Sequence, residues 1–309
     1  MMIALSIAPI FLLILTGYAL RRGGIPSDEF WDLNDRLVYF VLMPALFFVR
    51  ISTADLGEAG LGRFAIVLYA GFLAGVVIGL IGAVLLARGG AVGTSVMQGA
   101  CRFNTFVALA VAEALYGAPG LQLAVLGAAV LVPGVNLIAI SLFAVMLRPP
   151  GGGVARAAVR QLATNPLILA ILAALGFNAA GIGAVPVLHE TLSVLGQAAL
   201  PIMLLCVGAN LKLKGLRAEA GPMALAAFGK IVVFPAVILM TALALGLDPL
   251  SAQVALIYGA LPTGVAAYTL ARQLGGDAPL MAAMITMQTL LSFATMPLWL
   301  SLGERVFGV

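Results

Sequence analysis

Apolar residues fill this chain in ten long stretches, at 4–20, 37–53, 64–87, 95–116, 121–147, 165–183, 188–211, 223–245, 250–273 and 280–302. Clusters of charge, Gly and Pro separate them. A helix needs about 20 mostly apolar residues to cross the hydrocarbon core of a bilayer, so each stretch predicts a membrane-spanning helix. Between the first two, Ser27–Arg36 predicts a short interfacial helix capped by Ser27, with Trp31 at headgroup level. The longest connection, 148–164, is Gly-rich and basic and is expected to be a flexible linker at the midpoint of the chain.

Composition agrees with the pattern. Of 309 residues, 63% are hydrophobic and only 9% charged, with mean hydropathy +1.16. A soluble domain carries roughly a quarter charged residues. The composition therefore excludes an ordinary soluble enzyme, a nucleic-acid module and a disordered tail. The net charge of +4 finds its explanation in where the basic residues fall. With an outside N-terminus, eleven Lys and Arg lie in inner connections and three (Arg50, Arg63 and Arg305) in outer ones, while Arg102 and Lys230 fall inside spans. Cytoplasmic segments carry the excess of Lys and Arg, so both termini are expected on the non-cytoplasmic side of a plasma (bacterial inner) membrane, with no nucleic-acid partner. Cys101 and Cys206 sit in apolar runs without metal-ligand spacing. Arg21-Arg22 follows the first apolar stretch, whereas a secretory signal has its charge in front, so this stretch is expected to be a retained span.

The halves echo each other. Ala8-Pro9-Ile10-Phe11-Leu12 parallels Asn165-Pro166-Leu167-Ile168-Leu169, Pro44 parallels Pro201, Gly62 parallels Gly221, and Thr105 parallels Thr263, all at offsets of 157 to 159. Five spans per half is an odd number, so the second half must enter the membrane from the opposite side. The expected fold is all-α: ten transmembrane helices as two inverted five-helix repeats, 1–147 and 165–309, an architecture of many secondary transporters.

Several segments resemble the auxin efflux carrier family, which includes the plant PIN-formed carriers and bacterial carriers of small organic acids. They are Ala8–Tyr18, Leu42-Met43-Pro44-Ala45-Leu46-Phe47-Phe48, the run Leu200–Gly208, Leu261-Pro262-Thr263-Gly264-Val265-Ala266 and the run Leu270–Asp277. The resemblance implies a fold like that of the bile-acid sodium symporters. Spans 1, 2, 6 and 7 would form a scaffold that pairs two protomers into a homodimer. Spans 3–5 and 8–10 would form a moving transport unit, with spans 4 and 9 broken and crossed near mid-membrane. One departure stands out: plant carriers have Asn-Pro-Asn-Thr at the first crossover, whereas this chain reads Arg102-Phe103-Asn104-Thr105.

The expected crossovers hold the informative polar residues. Pro262, flanked by Gly264, should free backbone groups within span nine, and such groups persist at membrane depth only where they line a cavity or meet partners. Half-helices starting at Thr105 and Thr263 would aim positive ends at the centre, which suits a carboxylate. The substrate-binding candidates are Asn104, Thr105, Pro262, Thr263, Gly264, Lys230 and Arg102. A charge at mid-depth costs at least about 2.5 kcal/mol, so Arg102 and Lys230 should face a cavity or a partner; the structural alternative is a snorkelling side chain. Coupling to Na+ or H+ would draw on Asn104, Asn136, Thr263, Gln288 and Glu113, although Asn and Gln also bridge membrane helices structurally. Enzymatic motifs are absent: His189-Glu190 lacks a second His, and no nucleotide-binding loop or Gly-x-Ser-x-Gly occurs. The sequence thus predicts a secondary transporter of small organic anions, auxin-like or mono- and dicarboxylates. The alternatives are an anion channel or, further off, a membrane receptor.

Overall fold

The computed structural model describes residues 2–56, 60–86, 90–147, 159–160, 163–212 and 220–308. Most of the expected linker, with Arg88, Arg148, Arg156, Lys214 and Arg217 of the charge count, lies outside these residues. Among the described residues the chain is helical throughout, with no strand. In chain order the helices are α1 (Met2–Arg22), α2 (Asp28–Leu37), α3 (Met43–Ser52), α4 (Leu61–Leu85), α5 (Gly90–Cys101), α6 (Thr105–Leu147) and α7 (Pro166–Ala179). There follow α8 (Leu188–Ala209), α9 (Ala220–Ala227), α10 (Phe234–Ala244), α11 (Pro249–Ala260), α12 (Ala266–Leu274) and α13 (Ala278–Phe307).

Among the described residues, six helical runs are long and apolar enough to cross a membrane: Ile3–Arg22, Leu61–Leu85, Gly90–Leu147, Leu188–Ala209, Ala220–Ala244 and Ala278–Phe307. The third is too long for a single passage. Its α6 part alone has 43 residues, about 65 Å if straight against a core of about 30 Å. It bends at Gly117, which takes the left-handed φ of 60° that glycine allows. Gly120 then packs on the Ala112 carbonyl, and the far end of α6 returns beside the start of α5, where a Cβ on Gly90 would stand 2.8 Å from the Met146 carbonyl.

Two of the expected spans contain π-helical turns, Val38–Leu42 and Phe228–Val233. Each ends just before a helix with proline in its first turn, Pro44 in α3 and Pro235 in α10. Proline has no N–H and clashes with the carbonyl four residues back, and the wider turn absorbs that mismatch.

Lipid tails are as apolar as leucine, so helices associate in a bilayer by close packing of small residues rather than by expulsion of water. The structure uses this device between α1 and α8 and between α4 and α5. Gly17 of α1 lies on the Leu205 backbone, and Gly208 of α8 on the Ile14 backbone. Gly75 and Gly79 of α4 lie against α5, where an added Cβ would meet the Ala100 carbonyl and the Met97 Cα at 2.5 Å each. Large side chains such as Phe47, Phe64, Phe72, Phe143 and Phe234 fill the interior, while Leu5, Leu12, Leu169, Leu172 and Leu298 face outward.

The helix ends gather in two groups. At one end Arg21 of α1 reaches Asn210 after α8 (3.3 Å), the Asp277 amide donates to the Ala91 carbonyl (3.1 Å), and the Lys212 ammonium lies over the Tyr268 ring. At the other, Asn178 Nδ2 contacts the carbonyls of Ile51, Ser52 and Ala54, Ser52 meets His189, and Arg63 reaches the Leu245 carbonyl. Helix α2 sits at the first end. Ser27 Oγ accepts from the Phe30 amide as expected of a cap. Trp31, however, is only 3% exposed: it packs against Cys206 and Ala209 and donates to the Ile25 carbonyl. Arg21 pairs with Asp28 and Asp32, and Asp35 accepts from Asn210 Nδ2 at 2.7 Å. Burial pushes the Asp35 carboxyl above the ordinary carboxylate range, against the opposing pull of the Asn210 bond.

Candidate functional site

Two helices stop in the interior. Helix α5 ends at Cys101 and the chain becomes helical again at Thr105; α11 ends at Ala260 and α12 begins at Ala266. The second interruption follows from Pro262, which cannot donate to the preceding turn, with Leu261 extended at φ −65°, ψ 151°. The first has no proline and is held by Asn104. Its Oδ1 accepts from the amides of Phe106 (3.1 Å) and Val107 (3.3 Å), the arrangement of an N-cap on α6. The two interruptions touch directly. The Asn104 amide donates to the Pro262 carbonyl at 2.9 Å, and a Cβ on Gly264 would stand 2.7 Å from the Phe103 carbonyl.

Around this contact Thr263, Gln288 and Gly99 form a closed polar network. The Thr263 amide donates to Gln288 Oε1 (3.0 Å), and Gln288 Nε2 donates to the Gly99 carbonyl (2.8 Å). Thr263 Oγ1 lies 2.7 Å from Gln288 Oε1 and 3.1 Å from the Gly99 carbonyl, both acceptors for its single hydrogen. These bonds tie down Thr263, which lies outside any helix, and the second half-helix starts at Ala266, three residues later than the sequence predicts.

The two interior cations differ. Lys230, in the second π turn, is fully buried. Its Nζ donates to the carbonyls of Tyr258 (3.1 Å) and Gly259 (3.0 Å) and stands 3.6 Å from the centre of the Phe234 ring. Those carbonyls belong to the last turn of α11, where no helical donor follows and the helix presents its negative end. Lys230 therefore closes the end of a broken helix instead of facing open space. Arg102 is 8% exposed and lies in the first interruption, directly after α5 and three residues before α6. Its Nη2 donates to Asn136 Oδ1 at 3.1 Å, whereas its buried Nη1 has no partner among the described residues. A buried, half-satisfied guanidinium is a donor set for an anion.

Of the residues singled out from sequence, Asn104, Thr105, Pro262, Thr263, Gly264, Gln288, Arg102 and Asn136 meet here. Glu113 does not; it lines a separate cavity further along α6. Gln98 was missed. It is fully buried one turn before Arg102, its Nε2 3.5 Å from the Ala267 carbonyl and its Oε1 unpartnered. The i, i+4 spacing to Arg102 within an apolar run was the available signal.

A family profile described as "Membrane transport protein" matches residues 2–300. A protein of Rhizobium meliloti (strain 1021) named "Putative malonate transporter" is 32% identical over 307 residues, covering 94% of this chain and 92% of that protein. An "Uncharacterized transporter" of Methanothermobacter thermautotrophicus is 25% identical over 299 residues, covering 95% and 96%. Family and relatives point to a membrane transporter and away from an enzyme. This multi-pass membrane chain belongs to the membrane transport protein family, that of the auxin efflux carriers.

Proposed function

We propose that the protein is a secondary active transporter of small organic anions and binds the carboxylate at the crossing of its two interrupted helices. The observation that carries this reading is Arg102: buried and half-satisfied in the break between α5 and α6. An unpaired guanidinium N–H in a low-dielectric interior is costly, and a carboxylate there supplies both the missing acceptor and the opposite charge.

In this reading the chain crosses the membrane ten times, as two five-helix halves, 1–147 and 165–309, inserted in opposite senses. Each half contributes one interrupted helix, α5 with the start of α6 and α11 with α12. Helices α1, α3, α7 and α8 form the scaffold, which pairs two protomers, and α4–α6 with α9–α13 move between outward- and inward-facing states. The membrane is the bacterial inner membrane, with both termini on the non-cytoplasmic side. The candidate oxygens for a coupling cation already serve protein donors: Asn104 caps α6, Asn136 accepts from Arg102, and Gln288 accepts from Thr263. The named relative makes malonate the first substrate to try.

The test is binding to purified protein. Malonate, or another short carboxylate from a panel, should raise the melting temperature of the parent, because a ligand specific to the native state stabilises it. Arg102→Gln should weaken binding about 10- to 150-fold, from the loss of a hydrogen bond between charged groups of about 1.5–3 kcal/mol. Parental affinity in that variant would move the site away from the crossing.

A further inference from the structure

We propose that the cavity between α3, α6 and α8 is a second carboxylate subsite, distinct from the crossing, in which Arg50 holds the anion. The cavity has a volume of about 260 Å³. Leu46 and Leu200 supply apolar wall, Ser193 and Gln197 are polar, and Arg50 of α3 and Glu113 of α6 are its charged residues. Gly196 opens this corner by letting α8 approach the Leu46 Cα, which an added Cβ would meet at 3.1 Å.

Arg50 invites a simpler explanation, since it stands in the last turn of α3, where a cation complements the negative helix end. The carbonyls there are taken by neutral amides instead. Gln122 Nε2 donates to the Arg50 carbonyl at 2.7 Å, and Asn178 Nδ2 serves Ile51, Ser52 and Ala54 at 2.7–3.2 Å. The half-buried Arg50 guanidinium takes part in no ion pair or side-chain hydrogen bond among the described residues, and neither does the Glu113 carboxylate. Two opposite charges thus line one pocket without closing on each other. An anionic group meets Arg50 with its charge strengthened by the apolar wall.

Glu113 narrows the ligand class. A second full negative charge would face its carboxylate, whereas an O–H would donate to it. The subsite therefore takes a small aliphatic carboxylate that also bears an O–H donor, a hydroxy acid or a half-protonated dicarboxylic acid. Helix α6 carries both Glu113 and Asn136, the partner of Arg102, so in the transport reading of the preceding section, on which this role rests, the subsite is a waiting position for the crossing. Binding in the cavity can be tested without that reading.

Cys101 and Cys206 are both buried, so Ser193→Cys places a reactive thiol in the cavity wall, and Gln197→Cys is a second reporter. The measurement is the rate at which a small anionic thiol reagent labels the purified variant, with 3-hydroxypropionate or propionate added. The hydroxy acid should slow labelling saturably, and propionate should need at least about tenfold more, the loss of one hydrogen bond of about 1.5 kcal/mol. Protection should vanish with Arg50→Gln, survive Arg50→Lys, and survive Arg102→Gln, which disables only the crossing. Absence of protection, protection that persists in Arg50→Gln, or protection lost with Arg102→Gln would overturn the subsite. Equal potency of propionate would overturn the role given to Glu113.

Discussion

At the scale of single residues, chemistry was easier to read than partnership. Arg102, Lys230, Asn104 and Thr263 stand out in the sequence because polar groups in apolar runs are costly, and the structure brings all four to the crossing region. What each one touches depends on backbone ends that only the fold creates. Asn104 is the clearest instance. Its Oδ1 serves the amides of Phe106 and Val107, so Asn104→Ala removes a helix cap and should lower stability by about 1 kcal/mol. A fall in melting temperature that added carboxylate partly restores is the expected result; unchanged melting would contradict the cap. Asn178 is a second instance, since its bonds to three carbonyls at and just after the end of α3 have no signature in its neighbourhood of the sequence. Asp35 gives a prediction in pH. Burial raises its carboxyl above the usual value, so the folded protein holds that proton more tightly than the unfolded chain. Ionised Asp35 therefore costs stability at neutral pH, and the cost fades as pH falls through the raised value. Asp35→Asn, which still accepts from Asn210, should melt above the parent near pH 7.5, and the gap should narrow on acidification. A gap that widens on acidification would reverse the sign.

At the scale of elements, the apolar pattern located helices well and their interruptions unevenly. Pro262 announces the break before α12, because its missing N–H is visible in the sequence. The break after α5 has no such mark and depends on a cap and on contact with the opposite break. The π turns before α3 and α10 were not anticipated, although Pro44 and Pro235 are their local cause. The turn at Gly117 likewise merges with its flanking helices until φ is known. Contact between the two breaks gives a prediction of its own. In Gly264→Ala the new methyl would press on backbone atoms of Phe103 and Asn104, which cannot swing aside like a flexible side chain. Overpacking of this kind costs about 1–3 kcal/mol, and here it would also part the Asn104 amide from the Pro262 carbonyl. Both melting temperature and carboxylate affinity should fall. Pro262→Ala should weaken binding for the opposite reason, by allowing α11 to continue and hide the extended backbone. Parental binding in both variants would separate the crossing from the ligand.

At the scale of the whole molecule, the distribution of charge ties sequence to structure. The apolar stretches and the bias of Lys and Arg are legible in the sequence because they depend on counts along the chain. The contact of Arg102 with Asn136, 34 residues apart, and of Thr263 with Gly99, 164 apart, was not, because it requires helices to be docked. The docked structure does sort the helix ends. Arg21 and Lys212 lie at one end through their contacts with Asn210 and Tyr268, and Arg63 lies at the other, beside Leu245. Arg22 and Arg36 belong with Arg21 by their place at the ends of α1 and α2, and the basic linker joins the same side in the ten-span reading. Retaining Lys and Arg on the cytoplasmic face then sets the orientation of the molecule. Because charges near the membrane surface are held there during insertion, weakening the bias should weaken the orientation as well. A cysteine at Gly152 should be labelled by an impermeant thiol reagent only after the cytoplasmic face is opened, while a cysteine at Gly60, beside Asp248, should be labelled in intact cells. Replacing Arg21, Arg22 and Arg36 with Gln should produce a fraction of molecules with the reversed pattern. Labelling of Gly152→Cys in intact cells carrying the parental charges would invert the molecule.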